Sequence, residues 1–79
     1  MNIQKKKKED HMSIKNSFTS LCRNEKIKND QIRLVTNFVS DNVKPTNRTK
    51  CYAHLYYCVL FSGFRGATDL IIAAKYFIK

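Results

Sequence analysis

Apolar residues in the second half of the chain recur every three or four positions. Ile32, Val35, Val39 and Val43 keep that spacing, with Leu34 and Phe38 beside them. This is the period of one buried face of an α-helix. Asn29-Asp30 ahead of it offers an N-cap, so a helix is predicted over 30–43. Pro45 closes it, because a proline disfavours helix in the residue before it. Tyr52, Ala53, Leu55, Tyr56, Tyr57, Val59, Leu60 and Phe61 follow as a run apolar on nearly every side. A helix of that kind is normally buried centrally. Tyr, Val and Phe also favour strands, but the length of the run favours a helix over 49–61. Ser62-Gly63 breaks the chain, with glycine as the C-cap. Thr68 is then an N-cap and Asp69 a favourable first-turn charge. Leu70, Ile71, Ala73, Ala74, Phe77 and Ile78 supply the apolar face of a third helix, 68–78.

The first 28 residues hold few apolar positions. They read as a basic, mostly flexible segment with residues 1–12 disordered. One short helical turn is allowed at Ser17–Cys22, where Phe18 and Leu21 stand three apart. The expectation is an all-α, three-helix partial domain over 29–79 behind a flexible basic N-terminal segment. The chain has 79 residues, which limits it to one small domain, marginal without staples or partners. A hydrophobic content of 43% argues against wholesale disorder.

Charge narrows the partners. The net charge is +9, and residues 1–50 hold 12 lysines and arginines against 5 carboxylates. Such a balance suits a polyanion: DNA, RNA or an anionic membrane surface. The Lys5-Lys6-Lys7-Lys8 run is a short nuclear-localisation or nucleic-acid patch. Crossing a membrane is disfavoured, since Tyr52–Phe64 falls short of the roughly 20 residues a span needs. Joining it to the last helix would place Arg65, Asp69 and Lys75 in the bilayer, at about 2.5–3.5 kcal/mol each. Lying on a membrane surface is the alternative to nucleic-acid binding. A protein partner covering the apolar helices is the third reading. An odd count of three cysteines and a charged N-terminus without an apolar leader point to a reducing, intracellular setting and not to secretion. In a eukaryote, or a virus of one, the compartment expected is the nucleus.

Candidate chemistry is sparse. Cys51, His54 and Cys58 fall at i, i+3 and i+7, one helical face, and Cys22 is available as a fourth zinc ligand. Paired-cysteine spacing is absent, and buried Cys and His in an apolar helix are the commoner case, so neither metal nor cofactor is expected. No glycine-rich phosphate loop and no Ser/His/Asp set can be assembled. Arg65 is the unusual residue, a cation between the two most apolar segments. A buried charge is costly unless paired or bound to a ligand. Between a helix ending at Gly63 and one starting at Thr68, its planar fork is placed to grip an anion. The next helix N-terminus favours the same anion. The competing reading is a loop arginine paired with Asp69.

The stretch Leu60-Phe61-Ser62-Gly63-Phe64-Arg65-Gly66-Ala67-Thr68-Asp69-Leu70-Ile71 resembles the arginine box of the tyrosine recombinases, the phage-integrase family. There an apolar helix precedes Thr-Gly-Leu-Arg, two variable residues and an acid-Leu pair that opens the next helix. The order of helices upstream is similar, and the pattern looks most like the baculovirus very late expression factor branch, with its "NF…D..K" helix. Asp69 stands four residues after Arg65, whereas the family places its acid three after. The resemblance covers about residues 29–79 and implies the start of a catalytic domain. It implies that Arg65 is the first catalytic arginine, in contact with a DNA phosphate, alongside Lys5, Lys6, Lys7, Lys8, Arg48 and Lys50 as backbone-binding residues. The family's catalytic lysine, His-x-x-Arg box, second histidine or tryptophan and nucleophilic tyrosine would lie past Lys79. The expectation is therefore a truncated DNA-binding piece without strand cleavage of its own.

Overall fold

The computed structural model describes residues 10–78. The chain is all-α. Among the described residues four helices follow one another: α1 (Asp10–Asn24), α2 (Asn29–Asn42), α3 (Pro45–Ser62) and α4 (Ala67–Ala74), closed by a 3-10 turn at Lys75–Phe77. No strand occurs among the described residues, so the aromatic run Tyr52–Phe61 is helical.

The first helix corrects the expected flexible segment 1–28. Residues 1–9, with Lys5–Lys8, lie outside the described residues. From Asp10 to Asn24 the chain is a regular helix and part of the core. Ile14, Phe18, Leu21 and Cys22 make a narrow stripe at spacings of four, three and one. Phe18 and Cys22 are fully buried. α1 packs along α3, where the Phe18 ring meets that of Tyr52 at 5.6 Å between centroids. Removing a buried phenylalanine typically costs 3–5 kcal/mol. A core this small rarely supplies more than about 3–5 kcal/mol in total. α1 is therefore required by the domain. Val35 and Val39 from α2, Leu55 and Val59 from α3 and Leu70 from α4 complete the core.

Helix ends differ from the sequence expectations in instructive ways. α1 ends at Lys26, whose φ of 68° is left-handed without glycine. Its N–H donates to Arg23 O, and that of Ile27 donates to Cys22 O. This is the bonding of a Schellman cap, with buried Ile27 closing the apolar contact. Asn29 is the first residue of α2 and not its cap; Lys28 caps without a side-chain bond. Pro45 opens α3 at its first turn, a position that tolerates proline because that N–H has no helical partner. Gly63 takes φ 73° and closes α3 as expected. α4 starts at Ala67, one residue before the expected Thr68 cap, and yields to the 3-10 turn at Lys75.

Candidate nucleic-acid interface

On α1, Lys15, Thr19 and Arg23 stand four apart and share one face beside Asn16; on α2, Asn29, Arg33 and Thr36, four and three apart, likewise share a face. The two faces meet over Ile32 as a polar cleft of about 370 Å³. Lys15, Arg23 and Arg33 line it, and none of its lining residues is acidic. Arg23 Nε donates to Asn29 Oδ1 at 3.3 Å, bridging the two walls. The threonine hydroxyls donate back to their own helices, Thr19 to Asn16 O and Thr36 to Arg33 O. With those hydroxyls turned inward, the cations and the side-chain amides are the donors left to grip phosphate oxygens. None of these cations was singled out from sequence. The signal was present, Lys15 and Arg23 eight residues apart, but it acquires meaning only once residues 10–24 are read as helix.

Of the residues singled out from sequence, Lys5–Lys8 lie outside the described residues, and Arg48, Lys50 and Arg65 do not line this cleft. Arg65 occupies the turn between α3 and α4 and is 65% exposed, so it is not a buried charge. Its Nη2 lies 3.6 Å from Glu25 Oε1; Glu25, not Asp69, is its partner. This pair links the α3–α4 turn to the α1–α2 turn. Arg48 is drawn into structure: its Nε donates to Val43 O and its Nη2 to Ser40 O, both at 3.0 Å. These are carbonyls left open at the end of α2. Lys50 is exposed on α3.

The thiols face different ways. Cys22 and Cys51 are fully buried, while Cys58 is partly exposed and all three are free. Cys58 Sγ lies 3.6 Å from Nε2 of the exposed His54, and Cys51 points into the core instead of joining them. Among the described residues no cluster of three or more potential metal ligands forms. Burial pushes Cys22 and Cys51 up to about 11, with Arg23 partly opposing it at Cys22. Burial likewise raises Cys58. Tyr52 is pushed up to about 12, chiefly by burial. These groups stay protonated at neutral pH and serve as packing. Among the described residues no helix is long and apolar enough to cross a membrane.

Comparison with protein-family models, curated proteins and solved structures gives no match to this chain.

Proposed function

We propose that this chain binds the phosphate backbone of DNA, with the α1–α2 cleft as its principal grip. The observation that carries the reading is Lys15, Arg23 and Arg33 converging on one cleft without a carboxylate among them. A net charge of +9 supplies long-range attraction. Lys5–Lys8 stand ahead of Glu9 and Asp10 in the sequence and add to that charge. Arg65 adds a second contact. Its ion pair with Glu25 is exposed, and exposed pairs contribute only about 0–1 kcal/mol. A phosphate can therefore displace Glu25 at small cost. The resemblance to the tyrosine-recombinase arginine box gives Arg65 the same partner. Arg48 contributes mainly by holding the end of α2.

The reading assigns binding and no strand cleavage to these residues. Tyr52 is sealed in the core with its hydroxyl firmly protonated, which is the opposite of an activated nucleophile. Contacts of this kind read charge and not sequence, so affinity is expected to be nearly sequence-independent and to fall steeply with salt. Fluorescence anisotropy with a labelled duplex at several salt concentrations tests this, with flotation on anionic vesicles in parallel. Vesicle binding without duplex binding would overturn it.

A further inference from the structure

We infer that the nucleic acid preferred by this chain is single-stranded, with its bases stacking on the outward face of α3. The inference rests on the proposed backbone binding and adds the substrate class to it. Lys50, His54, Tyr57 and Phe61 are spaced four, three and four apart, so they form one stripe along α3. All four are exposed. Tyr57 is 55% and Phe61 76% exposed. Their rings lie 5.6 Å apart and within 9° of parallel, stacked on one another at the surface. Beside them His54 stacks on Tyr76, 19° from parallel at 6.3 Å, and Tyr76 is 83% exposed. Leaving this much aromatic surface in water is unfavourable, and these rings are not needed to fill the core.

Charge selects the occupant. Between Asp41 and Asp69 the sequence contains no acidic residue, so all of α3 is free of carboxylates. Lys50 stands at one end of the stripe; past the other end, beyond the Gly63 turn, comes Arg65, whose exposed pair with Glu25 is weak. Cations flanking stacked aromatic rings are the arrangement that holds single strands: the cations take phosphates while each ring takes a base. A duplex keeps its bases stacked inside and offers these rings nothing comparable.

The chain has no tryptophan, so Phe61→Trp introduces a lone indole at the stripe. Oligo(dT) is expected to quench its emission, while heparin, a polyanion without bases, binds and leaves it unchanged. Oligo(dT) is expected to bind about tenfold tighter than a duplex of equal length, and the Tyr57→Ala/Phe61→Ala double variant to erase that difference. Both positions are exposed, and an unchanged circular dichroism melt confirms the fold. Equal affinity for strand and duplex, unaffected by the double variant, overturns this inference and leaves backbone binding standing. Failure to bind oligo(dT), duplex or heparin overturns both. Self-association that the double variant abolishes would instead make the stripe a contact between copies of the chain, and overturns the inference too.

Discussion

Oε1 of Gln31 accepts the backbone N–H of Ala67 at 3.0 Å, across 36 residues of sequence. The first turn of α2 thereby caps the first turn of α4, an end that has no cap of its own from Gly66. Helix N-termini leave several N–H groups without partners, and this one is part-buried. Gln31→Leu removes the acceptor and should cost about 1–3 kcal/mol, the range for an unsatisfied buried donor. Gln31→Glu keeps an acceptor and adds charge at the positive helix end, so its stability should match or exceed wild type. Thermal melts of the two variants check the order.

That bond also marks where sequence reading stops. Thr68 had the chemistry of a cap, and only the fold reveals that a side chain from a different helix does the work. The spacing of Ile32, Val35 and Val39 and the left-handed Gly63 were legible because they are local. α1 was not: its stripe is narrow, and serine, threonine and asparagine are weak helix formers. Cys22, a core residue, entered only as the end of a short helical turn and as a spare fourth zinc ligand. Its end carries lysine where glycine normally signals a stop. The cleft was hidden for the same reason, since one of its walls is α1. Arg65 was expected in the notch between two helices and is exposed there; only the competing partner, Asp69, gives way to Glu25, which is distant in sequence.

Lys26 offers a direct check on that cap. A left-handed conformation costs a non-glycine residue roughly 1–2 kcal/mol. Lys26→Gly should therefore raise stability, by about 1 kcal/mol once the greater freedom of glycine in the unfolded chain is subtracted. Chemical denaturation midpoints report it. A destabilised variant would contradict the left-handed cap.

Alkaline pH should loosen the core. Cys22 and Cys51 are raised from 9.0 to about 11 in the folded chain. Groups raised on folding contribute their full stability below the unfolded value and lose it as pH rises through the folded one. Stability should be flat to about pH 8 and decline between pH 9 and 11, by at most about 1.4 kcal/mol per pH unit for each thiol. Replacing both by alanine should flatten the decline below about pH 10, leaving above it the part due to Tyr52, raised from 10.0 to about 12. With a thiol-reactive reagent at neutral pH, Cys58 should react in the native state and the two buried thiols only on unfolding.

Arg65 and Glu25 should act in opposite directions on DNA affinity. Glu25→Gln frees the guanidinium and should tighten binding by up to about fivefold, the worth of an exposed pair. Arg65→Lys should weaken binding, because lysine lacks the planar fork that matches phosphate oxygens. Both should leave stability within about 0.5 kcal/mol. Equal affinities for both variants and wild type would remove Arg65 from the interface.

The claim that the α1–α2 cleft grips phosphate is tested most directly by the salt dependence of duplex binding, compared between wild type and the Lys15→Gln/Arg23→Gln/Arg33→Gln variant. Each phosphate contact contributes about 0.9 to the slope of log affinity against log salt. The variant should bind more weakly and show a slope shallower by about 2–3, across all duplex sequences alike. A folded variant with wild-type affinity and an unchanged slope would contradict the account.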